Sequence, residues 1–379
     1  MRLEAPGASP GRGVVLEREW VADWFETFCS VRRLDGLLIS LRRSAGQLAG
    51  LLLAALRLNL PTVVAPRWEI PFDIVPCALG LAPLTRDPAE AAVAIVLDGG
   101  PRVRGLVDGF SLANALRAGL AAGAGPELLV HLAAIAREAG ELDFPRVIRV
   151  LAPETPTLIP SGSMSAADLL SSLGDALNDV STVDGQLREV LPEPTRREPK
   201  KGNQLSFVTG RASGVEAIAS TPPGVKEVAG ACRVFGSEEE AARAVEAGEI
   251  VAGELLVVCG CGPRGGPGLL RLDLLARTLA AGGLEASVPV ITDGLPPAGA
   301  GGTWISLFSP EAAAGGVIGR LHDGDTLRID LAEGRIRTGV QADEMERRDP
   351  YKVPDPAGAG YAARYARSAL PAIDGSGFG

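Results

Sequence analysis

One interruption constrains this chain more than any other feature. Residues 186–203, "QLREVLPEPTRREPKKGN", lose all apolar periodicity and gather proline and charge, as a connection between domains does. Before it the chain is mainly helical in spacing; after it short strands dominate. A single continuous core does not suit two such textures, and 379 residues with 46% apolar content suffice for two cores. The chain therefore reads as a leader over 1–17, a first domain over 18–190, a linker over 191–203, a second domain over 204–350 and a C-terminal arm over 351–379. The arm, rich in Gly, Pro and Tyr, is expected to pack loosely.

In the first domain, residues 18–33 place Trp20, Val21, Trp24, Phe25 and Phe28 on one helical stripe. Core packing accounts for that cluster better than a ligand box. "GLLISL" (36–41) reads as a buried strand, Ser44 to Leu58 as a helix and "PTVVA" as a second strand. This β-α-β order predicts an α/β domain with a parallel sheet and crossover helices. Residues 86–180 are mainly helical. In the second domain "QLSFVTG", "ELLVVCG", "VPVITDG", "TWISLF" and the hairpin "TLRIDLAEGRIRTGV" read as strands, interrupted by two helices. The first helix opens with the capping box Ser237-Glu238-Glu239-Glu240. A β-rich, barrel-like α/β domain is expected. No repeat of 20–50 residues occurs.

A net charge of −9 with no basic block argues against nucleic acid. No secretory signal opens the chain. Its most apolar stretch, "LAGLLLAALRLNLP", is broken by Arg57 and stopped by Pro61, short of the ~20 residues that span a bilayer. A soluble, cytoplasmic protein without membrane association is expected. Five scattered cysteines and two histidines exclude a disulfide framework and a His-rich metal site, so no metal is assigned.

The strongest local signal is "VVCGCGPRGGPG" (257–268), a strand ending in a glycine-rich turn ahead of a helix. Such a turn lets a ligand approach the main chain and offers N–H groups to an anion. Its spacing fits neither a Walker A motif nor a dinucleotide fingerprint. Arg264 is either an anion partner or a solvated loop residue. Cys259 and Cys261 face one side if the strand continues, as a metal pair, a nucleophile or two small residues closing a buried strand. Asp293, at a strand end before a Gly-rich loop, is a site carboxylate or the cap of its turn. His131 sits in an apolar helix as a core histidine, and His322 in an exposed turn.

These motifs carry a resemblance. "GPRGGPG", "VPVITDG", "GGTW" and "SPEAAAGGVIGRLHDGDTLRIDL" resemble the C-terminal domain of the dihydroxy-acid and phosphogluconate dehydratase family over about 170 residues. "GLLLAALRLNLPTVV" and "LVHLAAIAREAG" through "LIPSG" extend it more weakly upstream. The resemblance implies dehydration of a 2,3-dihydroxy acid or sugar acid by an iron–sulfur cluster, a magnesium ion and a serine base. Residue by residue, that machinery is missing. The segment with the first cluster cysteine would precede residue 18. The central Cys-Asp-Lys motif falls on Ser44, Ala45 and Gly46, or one residue earlier at Arg43. Cys77 lies on the wrong side of the helix matching the third cysteine region. Cys261 replaces the magnesium-binding glutamate, and Ala300 stands where the serine base would be.

The resemblance thus implies a truncated, divergent, bacterial relative without cofactors, acting as a non-catalytic binding or partner subunit. It would pair as a homodimer or with a longer dehydratase homologue and take a small anion. The alternative is a repurposed, metal-independent, lyase-like enzyme of biosynthesis acting on a small carboxylate. Its catalytic candidates are Cys261 and Asp293. Ligand contacts are expected from Arg264, Gly265, Gly266, Gly301, Gly302, Thr303 and Ser44.

Overall fold

In the computed structural model, residues 13–40, 44–65, 71–159, 164–193, 200–201, 204–210, 214–264, 268–352 and 359–379 are described. The chain forms two compact units, Met1–Ala8, Glu17–Ala124 and Leu128–Gly202 in one, Ser9–Leu16, Gly125–Glu127 and Asn203–Gly379 in the other.

In the first unit β1 (Leu37–Ser40) and β2 (Thr62–Ala65) pair in parallel, from Leu37↔Thr62 to Ser40↔Ala65. Their crossover is the helix Ala45–Leu58, apolar around most of its circumference and buried from Gly46 to Leu56, as a helix without a polar face must be. Ser44 caps its start, and Asn59 ends it in a left-handed conformation (φ 47°). The aromatic helix runs Val14–Ser30, beginning four residues ahead of the expected start. His131 is fully buried, edge-on to Phe72 with ring centres 5.5 Å apart. It has the environment of a core histidine. Lys200–Lys201, placed in the linker by composition, pairs antiparallel with Leu158–Ile159.

The second unit is a closed eight-stranded barrel. Its strands are β3 (Gln204–Gly210), β4 (Glu216–Thr221), β5 (Glu227–Phe235), β6 (Leu255–Val258), β7 (Val290–Thr292), β8 (Trp304–Ser309), β9 (Thr326–Asp330) and β10 (Arg335–Thr338). Around the barrel the order is β6-β7-β8-β4-β3-β10-β9-β5, and closure is completed by β5 against β6. Four consecutive neighbours, β5, β6, β7 and β8, run parallel, so their C-terminal ends lie together. Helices α1 (Glu238–Glu246) and α2 (Asp273–Ala281) make the crossovers.

Because helices cover the parallel strands, both strand faces are apolar. On β6, Leu255 and Val257 point into the barrel beside Val228, Ile291 and Ile305. Leu256 and Val258 pack outward against Ala241, Leu275 and Leu279 of the helices. The Ser237 cap operates as its sequence implies, accepting from Glu240 N, but the Glu240 carboxylate reaches Gly236 N instead of closing the box on Ser237.

The C-terminal residues differ from the loose arm expected of them. Tyr361–Ser368 is a helix (α3) whose Tyr365 is fully buried and donates to Ser376 O at 2.7 Å. Ala369 and Phe378 then close an antiparallel bridge, and Phe378 meets the rings of Tyr361 and Tyr365 edge-on at 5.5 Å. Aromatic packing supplies the order that the Gly-rich composition concealed.

Candidate functional site

Three loops meet at the C-terminal ends of the parallel strands, the position at which an α/β sheet ordinarily presents its ligand site. The turn after β6 supplies Pro263 and Arg264, the loop after β7 supplies Asp293, and the end of β8 runs through Ser309 and Pro310 to Glu311. With Pro371 and Ala372 of the C-terminal segment they line a cavity of about 310 Å³. Leu307, Phe308 and Ala314 complete a mostly apolar wall. That volume lies at the small end of the range for ligand pockets.

Asp293 is buried, and its carboxylate accepts three main-chain bonds: Cys261 N at 2.8 Å, Ala312 N at 3.0 Å and Gly260 N at 3.1 Å. It fastens the turn after β6 to the turn after β8. Burial pushes its carboxyl upward and the main-chain donors oppose that shift. Glu311, also buried, receives the Arg264 N–H, shared between its two oxygens at 3.2 Å each. A Cβ on Gly262 would collide with the Glu311 carboxylate as it lies, so glycine there lets the carboxylate approach the main chain. Burial, reinforced by the neighbouring Asp293, pushes the Glu311 carboxyl up to about 8 despite Arg264. Glu311 was overlooked as a candidate, although "SPEAAAGG" was a recognised motif. Nothing local distinguishes it from an ordinary loop glutamate.

The remaining candidates separate. Arg264 lines the cavity, but its Nε donates to Ala369 O at 2.9 Å, binding the turn to the C-terminal segment. Gly265 and Gly266 lie outside the described residues. Cys259 and Cys261 do not face the same side. Gly260 turns the chain at φ 79°, leaving Cys259 in the barrel interior and Cys261 in the outer layer beside Leu272 and Trp304. Burial pushes the Cys261 thiol well up, and Asp293 adds to the effect, which disfavours a thiolate nucleophile. Cys261 is also missing from the residues that line the cavity.

Gly301, Gly302 and Thr303 do not join Asp293 either. Thr303 O accepts from Val290 N at the start of β7, so the loop after Asp293 has crossed to the opposite end of the parallel strands. A Cβ on Gly302 would strike Glu285 O, so the pair of glycines serves close packing there. Ser44 belongs to the first unit, where it caps a helix and donates to Glu17 Oε2 at 3.1 Å.

The iron–sulfur and magnesium centres implied by the resemblance do not fit the described residues. Ser44 offers a hydroxyl engaged in capping, Cys77 is fully buried, and Cys261 packs among apolar side chains. Among the described residues, no three His, Cys, Asp or Glu side chains are grouped to hold a metal. The alternative site of Arg43 lies outside the described residues.

Comparison with known proteins agrees with the architecture. Residues 199–376 match the family described as "Dihydroxy-acid/6-phosphogluconate dehydratase C-terminal". The chain belongs to the dihydroxy-acid dehydratase superfamily. Similar proteins include the dihydroxy-acid dehydratase of Geobacter metallireducens, 31% identical over 333 residues, covering 79% of this chain and 60% of that protein. That of Geobacter sulfurreducens is 34% identical over 293 residues, covering 69% of this chain and 53% of the relative. The chain thus spans between half and three-fifths of the length of these relatives. Among the described residues, no helix is long and apolar enough to cross a membrane.

Proposed function

We propose that this protein is a non-catalytic member of the superfamily that binds a small hydroxy acid in the cavity at the ends of β5–β8. The names of its relatives point to a dihydroxy acid as the class. The reading rests on Asp293. Removing a proton from a substrate carbon requires a base with a free lone pair directed at it. Asp293 instead spends its oxygens on three main-chain donors. Ala300, where the resemblance places the serine base, packs against the outer apolar layer. A role as a partner subunit is supported by the helix Pro88–Leu97, which exposes Ala89, Val93 and Leu97 at four-residue intervals.

A second reading has one observation in its favour. A carboxyl near 8 lining a cavity is suited to general acid chemistry, and Glu311 could protonate a leaving hydroxyl in a repurposed lyase. Incubation with 2,3-dihydroxy acids and an assay for 2-keto acids distinguishes the two. Binding without product supports the first. Keto acid formed by the parent and lost in Glu311→Gln would replace it with the second.

A further inference from the structure

Among the described residues lining the cavity, two carboxyls, Asp293 and Glu311, face one guanidinium, Arg264. With both acids ionised, the lining would carry a net negative charge and repel the carboxylate of a hydroxy acid. Their surroundings decide which acid is charged. Asp293 holds three main-chain N–H groups, as a buried carboxylate requires. Glu311 has a single N–H, divided between its oxygens, and lies against the bare main chain of Gly262. The guanidinium is anchored through Nε to Ala369 O. Among the described residues, no side chain pairs with its two terminal nitrogens.

Resting on the reading that a hydroxy acid occupies this cavity, we propose that the ligand binds as a carboxylate accompanied by one proton on Glu311. The Glu311 O–H donates to one ligand oxygen, and Arg264 supplies the compensating positive charge. The proton comes from solvent and forms the Glu311 O–H, and no bond within the ligand changes. Among the described residues, the charged groups facing Glu311 are Arg264, after β6, and Asp293, after β7. The C-terminal segment contributes only Pro371 and Ala372 to the lining.

Two consequences follow from this geometry. Affinity is level while Glu311 already holds its proton and falls about tenfold per pH unit above its folded pKa, which is about 8. One donor acid and one guanidinium also satisfy a single carboxylate, so monocarboxylates are favoured over phosphorylated sugar acids, whose added charge finds no second partner.

Calorimetry on the full chain tests the coupling with 2,3-dihydroxy monocarboxylates of roughly three to six carbons. Titrations at about pH 6.5 and about pH 9, each in two buffers of different ionisation enthalpy, count the protons taken up. Close to one proton per ligand is expected at the higher pH and almost none at the lower, with binding about tenfold weaker at the higher pH. Glu311→Gln, which keeps an N–H donor, is expected to bind equally at both pH values without proton uptake. A parent that binds with no proton uptake at the higher pH and a flat affinity overturns the coupling and leaves the ligand reading standing. A parent that binds none of these acids at either pH removes the ligand reading, and the coupling with it.

Discussion

Replacing Glu311 with Gln should make the protein more stable, and increasingly so as pH rises. The buried carboxyl, pushed up from 4.5 to about 8, keeps its proton in the folded state and loses it readily in the unfolded chain. Between these values the unfolded state binds fewer protons than the folded one, so stability declines with pH. The stability is fully present below about 4.5 and is lost as pH rises through about 8. At about 1.4 kcal/mol per pH unit, the full loss amounts to about 5 kcal/mol.

Gln has nearly the same shape and can still accept the Arg264 N–H, but it has no proton to lose. Urea unfolding of parent and variant at about pH 6 and about pH 9 measures the difference. The parent should lose about 3 kcal/mol more than the variant between those values, because only the part of the transition from about pH 6 to 8 is sampled. Parallel loss in both proteins would show that Glu311 ionises normally and would refute the burial argument.

Three further outcomes are expected. Asp293→Ala leaves three buried main-chain N–H groups without an acceptor and should cost about 3–5 kcal/mol in urea unfolding, the saving from no longer burying a carboxylate being included; a loss below about 1 kcal/mol would contradict its fastening role. Protein purified without oxygen should carry no stoichiometric iron or sulfide, and a brown protein containing both would disprove the poor fit of Ser44, Cys77 and Cys261 to a cluster. The parent should sediment as a dimer at micromolar concentration, or associate with a longer relative when the two are mixed, and Val93→Asp with Leu97→Asp should disrupt that association. A parent that remains monomeric alone and in the mixture would count against the exposed stripe as a contact.

Helical spacing, the Ser237 cap and the β-α-β order were legible because they depend on neighbours three or four residues away. The ordered run of motifs from "GPRGGPG" to "SPEAAAGG" likewise identified the superfamily without tertiary contacts. Strand pairing across the chain was different. β4 and β5 were missed, and barrel closure depends on Arg335↔Thr209 and Ile336↔Gly210, partners more than a hundred residues apart. The site shows the same division. Asp293 was recognisable at its strand end, but its three donors come from two other loops. Cys259 and Cys261 parted because one glycine between them turned the chain. Glu311 became distinctive only when the fold buried it beside Asp293 and against Gly262. A residue's chemistry depends on solvent and neighbouring charge, and at Glu311 both are set by segments remote in sequence.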